Sequence, residues 1–264
     1  MKDHQIQMRP SAEFQAMLSM EPETSDVVTG KSEERCPKGQ VPIHIPQSNY
    51  TNTLIHPEKT ITAANLHYAI IKTFDNSTKK RYGGAQALFN LYKPKVLKNQ
   101  FSKAWIWLNH REKDMISSIQ FGWAVHTGLY LDDRPRLTTF WVSDRHQNGC
   151  YNTLCRGGYA KSIKQSTPDS RTKSWLLMTG KTLIGYWPSQ IYSMEGALQV
   201  YFGGYAGGPT GAISPQMGAG TFPRQAGFQN KLACFMKQLK TFEDNGLSDI
   251  NCHEYEEYVK SKLL

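Results

Sequence analysis

The chain has 264 residues, enough to bury a substantial core and to form one large domain or two smaller ones. Its 13 Tyr, 11 Phe and 6 Trp, set among 21 Gly and 13 Pro, favour short strands and many turns over a helical bundle. The net charge of +9 is uneven, with four basic and seven acidic side chains in residues 1–35 and 27 basic against 15 acidic in the rest; even so, no Lys/Arg run interleaved with aromatics makes a nucleic-acid module, and no window holds the roughly 18 apolar residues of a membrane span.

Residues 1–62 are polar, rich in Pro, Ser, Thr and Glu, and without sustained period, which predicts an irregular leader ahead of one domain over 63–264. The first ten residues, MKDHQIQMRP, have no apolar run that could serve as a signal peptide. Asn49 and Asn76 each begin a glycosylation triplet and agree with a secretory route. NLHYAIIKTF (65–74) reads as a strand, DNSTKK as a turn and YGGAQALFNLYKP (82–94) as a second strand, a hairpin-like arrangement.

FSKAWIWLNH (101–110) predicts a third strand and ISSIQFGWAV (116–125) a fourth. In the fourth, Ile116, Ser118, Gln120, Gly122 and Ala124 share one face, so Gln120 stands among small residues that leave room for an approaching group. RLTTFWVSD (136–144), SWLLMTG, KTLIGYW and GALQVYFGG (196–204) continue the short-strand pattern. Repeated strands without intervening helical periods predict an all-β fold, an antiparallel β-sandwich or barrel. GFQNKLACFMKQLKTF fits helix or strand, whereas EYEEYVKSKLL predicts a short C-terminal helix.

The five cysteines include the pair Cys150 and Cys155 in GCYNTLC. This spacing is not CxxC, and no second Cys/His pair completes a zinc site, so a local disulfide is the better reading and no metal or cofactor is expected. Asp132 and Asp133 precede Arg134-Pro135, where aspartate serves turn hydrogen bonding. His110, His126 and His146 have neither a nucleophile-elbow serine nor metal-ligand spacing.

FGWAVHTGLYLDDRPRLTTFWVSD, GCYNTLC, IGYWP (184–188), FGG (202–204) and PQMGAGTFP (215–223), in that order, resemble the neprosin family of plants, secreted glutamic peptidases of proline-directed specificity. IQMRPS and CPKGQVPI in the leader resemble the end of that family's activation peptide, which implies a sequence beginning within a longer one and an extracellular protein. The resemblance also implies a Cys150–Cys155 disulfide. Cys252 matches a family cysteine whose usual partner is missing here, which leaves Cys234 as a substitute partner or both thiols free.

The resemblance implies catalysis by two glutamates on facing strands, which share a proton so that one activates water while the other assists as an acid. Their positions are Gln120, two residues before Gly122-Trp123, and Tyr205, directly after Gly203-Gly204. A glutamine has no proton equilibrium near working pH, and a phenol with a reference pKa of about 10 seldom abstracts a proton. The family also carries extra strands where only QSTPDSRTK stands here (165–173), which predicts an incomplete strand set or a re-paired sheet. The expectation is a catalytically impaired homologue whose cleft, lined by Trp123, Tyr186, Trp187 and Phe202, still binds a Pro-rich peptide or protein. The alternatives are an active acid endopeptidase with altered residues, a polymer-binding module and a decayed gene product. Neither nucleic acid nor membrane is expected as partner, and the oligomeric state is not legible.

Overall fold

A computed structural model of the chain describes residues 64–73, 80–112, 115–143, 148–152, 154, 166–169, 174–179, 182–187, 196–220, 234–243, 246–249 and 255–260. These form thirteen strands in two antiparallel sheets. The seven-stranded sheet runs β13 (Tyr255–Lys260), β1 (Ala64–Thr73), β10 (Gln199–Pro209), β3 (Phe101–Glu112), β4 (Met115–His126), β5 (Arg136–Ser143), β6 (Asn148–Tyr151). The six-stranded sheet runs β12 (Gly246–Asp249), β11 (Met236–Glu243), β2 (Gly84–Phe89), β7 (Ser166–Asp169), β8 (Ser174–Thr179), β9 (Thr182–Trp187). The architecture is an all-β antiparallel sandwich.

Its core lies between the sheets. From the seven-stranded sheet come Ile106, Leu108, Ile119, Phe121, Trp141, Val200 and Phe202; from the other come Ala85, Trp175, Leu177 and Trp187. Trp175, Leu177 and Trp187 are fully buried. Each large apolar side chain so removed from water stabilises the sandwich by roughly 1.5–3 kcal/mol. Strand alternation does the sorting: even residues of β3 and β10 and odd residues of β4 and β5 point inward, and their neighbours point to the outer face.

The 165–173 segment contributes a strand to the second sheet. Four of its residues form β7, which pairs with β8 from Ser166↔Leu177 to Asp169↔Ser174 and meets β2 at Ala85↔Ser166. Two sequence expectations give way. The C-terminal helix is instead strand β13, because the edge of β1 offers six residues a full ladder, Thr73↔Tyr255 to Tyr68↔Lys260, and that pairing overrides helical periodicity. In the segment left open between helix and strand, Met236–Glu243 forms strand β11. Strands β1 and β2 are not a hairpin: β1 pairs with β10 and β13, and β2 belongs to the opposite sheet. The leader and the glycosylation triplets at Asn49 and Asn76 lie outside the described residues.

Candidate functional site

The outer face of the seven-stranded sheet gathers the residues that could carry chemistry. Gln120 on β4 and Tyr205 on β10 both project there, with β3 between them. Their register rows differ: Tyr201, Trp107, Gln120, Phe140 and Tyr151 lie in one, and Tyr68, Tyr205, Lys103, Ala124 and Arg136 in another. Two strands and four residues therefore separate the two positions, about 16 Å between backbones at ordinary ladder spacing.

The centre of that span is Trp105, whose register row is Gly203↔Trp105↔Gly122. The indole is fully buried, and both flanking glycines have φ 155. A Cβ on Gly122 would run into the Ala104 carbonyl and the Trp105 side chain; on Gly203 it would run into the Ala69 carbonyl and Ile70. The glycines of FGW and FGG thus allow the close approach of neighbouring backbones at this point.

Gln120 is half-buried, and its Nε2 donates to Ser118 Oγ at 3.2 Å, which donates in turn to Asn109 Oδ1 at 2.6 Å. Tyr205 is buried, stacks on Tyr68 with ring centroids 4.6 Å apart, and meets Phe101 edge-on at 4.8 Å. Both side chains are hydrogen-bond formers and neither is a carboxylate. Along β1, β3, β4, β5, β6 and β10, no outward position is Asp or Glu.

A base stands there instead. Lys103 is 2% exposed, and its Nζ lies 4.3–5.2 Å from the ring centroids of Trp105, Phe101, Tyr151 and Tyr205. Nζ donates to Tyr151 Oη at 2.6 Å. Lys103 belongs to β3 and Tyr151 to β6, so their bond passes above the small residues Gly122 and Ala124 of β4. The room that the small residues offer is thereby crossed by a strap of two side chains. His126, at the end of the same face, stacks on Phe101, and its Nδ1 accepts from Leu129 N at 3.1 Å, capping the short helix α1 (Thr127–Tyr130). Burial, and secondarily the Lys103 charge, holds its pKa well below the ordinary histidine value.

The lining aromatics need correction. Trp123 points to the inner face, buried with Val96, Ala104 and Val125, and its indole donates to Asn90 O at 2.8 Å. Phe202 and Trp187 are in the core between the sheets. All three follow from strand alternation, since each stands an odd number of residues from an outward-facing neighbour or lies on the facing sheet. Tyr186 is half-buried on β9, in the other sheet from Gln120. The outer face is lined instead by Tyr68, Phe101, Trp105, Trp107, Phe140, Tyr151 and Tyr201. The alternation of FSKAWIWLNH already carries this signal, with Phe101, Lys103, Trp105 and Trp107 on one side.

Asp132 is a structural carboxylate: it accepts from Arg134 N at 3.1 Å and forms a two-point ion pair with Arg136, one contact being 2.6 Å. Those bonds hold its pKa below the ordinary value. Asp133 pairs with Lys93 at 2.9 Å. Cys150 is buried and disulfide-bonded, Cys234 is a free thiol, and Cys155 and Cys252 lie outside the described residues. Among the described residues no group of three His, Cys, Asp or Glu could hold a metal ion, and no helix is long and apolar enough to cross a membrane.

A family model described as Neprosin matches residues 98–168 and 159–263, well over half of the chain. The match spans β3 to β6 and β10, and hence both Gln120 and Tyr205; its two segments overlap at 159–168.

Proposed function

The chain belongs to the neprosin family of glutamic-type peptidases, and on that premise we propose that it is a catalytically silent homologue that retains a groove for an extended, Pro-rich peptide. The observation carrying this reading is the composition of the outer face. Peptide hydrolysis by this chemistry needs a general base and an acid of matched pKa, and along β1, β3, β4, β5, β6 and β10 the outward positions carry hydroxyls, amides such as Gln120 and Asn109, bases including Lys72, Lys103 and Arg136, and His126 but no carboxylate, Glu256 of β13 standing at the far edge beside Lys72. Gln120 can hydrogen-bond a peptide carbonyl or amide but cannot take a proton from water.

Binding would use the row Tyr201–Trp107–Gln120. Tyr201 and Gln120 are half-buried, and Trp107 lies between them. An aromatic surface with one amide suits a preformed polyproline II segment, which loses little entropy on docking. The reading includes a secreted protein with Cys150 paired to Cys155, in keeping with the disulfide at Cys150.

The purified chain is incubated with Pro-containing peptides across acidic and neutral pH, with cleavage followed by mass spectrometry and binding by calorimetry. The expected result is binding without cleavage, weakened at least tenfold by Tyr201→Ala combined with Gln120→Ala. Peptide cleavage that survives chromatography to homogeneity refutes the silent assignment, and absence of binding refutes the retained groove.

A further inference from the structure

The exposed Ser214–His67 hydrogen bond of 2.8 Å has no acid to orient the imidazole among its described contacts. The exposed side chains Leu97, Leu131 and Ile213, gathered around Gln100 and Thr127, have nothing on them that identifies an occupant. The buried lysine of the outer face carries an inference further.

We propose that Lys103 is a third determinant of silence: it is the direct cross-strand partner of position 205, so a glutamate placed there would be held as its ion pair instead of serving as a proton-holding acid. This deepens the reading of the site given above and rests on it.

Lys103 and Tyr205 are register partners on β3 and β10. Cross-strand partners have Cβ atoms about 5 Å apart, and Nζ already lies 5.2 Å from the centre of the Tyr205 ring. A glutamate at 205 would end near the inner edge of that ring, within ion-pairing reach of Nζ. The pair would lie in a compartment walled by Phe101, Trp105 and Tyr151, where water screens poorly. Attraction by the ammonium favours the charged carboxylate and opposes protonation.

The wider row works in the same sense. Tyr68, Tyr205, Lys103, Ala124 and Arg136 follow one another across five strands, two bases and no acid. Arg136 is engaged by Asp132, and Glu256 lies in another row, beside Lys72. The phenols of Tyr151 and Tyr205 face Lys103, and Tyr68 stacks on Tyr205. His126 stacks on Phe101 and meets Tyr151 edge-on; its imidazole also faces the compartment and feels the Lys103 charge. Replacing Gln120 and Tyr205 by glutamates therefore restores two carboxylates but not a pair able to share a proton.

The test uses Tyr205→Glu in the full chain, with and without Lys103→Met, which keeps the length of the side chain in its aromatic box. Carboxyl-carbon NMR follows Glu at position 205 through a pH titration. The expected result is a midpoint higher by roughly 1–3 pH units when Lys103 is replaced, and peptide cleavage only by the variant that combines Gln120→Glu, Tyr205→Glu and Lys103→Met. An unchanged midpoint, or equal cleavage with Lys103 present, overturns the proposal. Cleavage by the unaltered chain instead overturns the silent reading, so the two failures are distinct. Should Tyr205→Glu not fold, Lys103→Met alone is read through the His126 imidazole: its midpoint rises if Lys103 is charged in the compartment, and a fixed midpoint overturns the proposal.

Discussion

The two faces of the seven-stranded sheet are built from alternate residues of the same strands, yet they hold different chemistry. The inner face presents Ile106, Leu108, Ile119, Phe121, Trp141 and Phe202 to a second sheet, and the described polar side chains that it buries, among them Ser102, His110 and Thr139, include no lysine or arginine. The outer face is equally rich in rings, but it buries Lys103, His126 and Thr138 among them. Burial by itself therefore does not distinguish a core from a candidate site. What sets the outer face apart is a buried ammonium, with Tyr151 as partner of Lys103, beside His126 bonded to Leu129 N and Thr138 bonded to Tyr130 at 2.7 Å.

That contrast can be broken in order of size. Phe202→Ala, on the inner face, removes a ring with nothing to collapse into its place and is expected to cost about 3–5 kcal/mol in urea unfolding. Tyr151→Phe, on the outer face, deprives a buried ammonium of one hydrogen bond and should cost about 1.5–3 kcal/mol by the same measurement. If the second cost matches that of an exposed tyrosine, the polar partners of the outer face are incidental.

On the outer face acid acts through His126. The folded pKa of His126 is depressed, so below about pH 6.5 the unfolded chain takes up a proton that the folded chain refuses. Stability should fall by up to about 1.4 kcal/mol for each pH unit below that point, until the folded imidazole itself titrates. Melting between pH 7.5 and 5 tests this, and His126→Gln should flatten the profile. The smallest effect belongs to Asp132→Ala: its ion pair is one-third exposed, so the loss stays within about 1 kcal/mol. Because the Asp132 pKa is depressed, that contribution is present above the ordinary carboxylate value and lost only as pH falls below about 4.

Much of this was legible in the alternation of the strands. ISSIQFGWAV shows that Gln120 and Trp123 face opposite ways, and GALQVYFGGY does the same for Phe202 and Tyr205. What alternation cannot show is which strands become neighbours. The small face of β4 reads as space for a ligand, but that space is crossed by Lys103 from β3 and Tyr151 from β6, a contact spanning 48 residues of chain. Likewise, EYEEYVKSKLL satisfies helical spacing, and only the free edge of β1 decides that it becomes a strand. The order of strands is set by tertiary pairing, and the electrostatics of the site come with it.

The junction made by β7 has a mechanical consequence. Its link to β2 is a single register pair, whereas its ladder to β8 runs over four. The six-stranded sheet thus behaves as two rafts, β12-β11-β2 and β7-β8-β9, joined along a narrow seam. The amides of Ala85 and Ser166 should exchange with solvent faster than those of Leu176 and Leu177, and opening along that seam would shear the second layer while leaving the seven-stranded sheet, with its row of bases, intact.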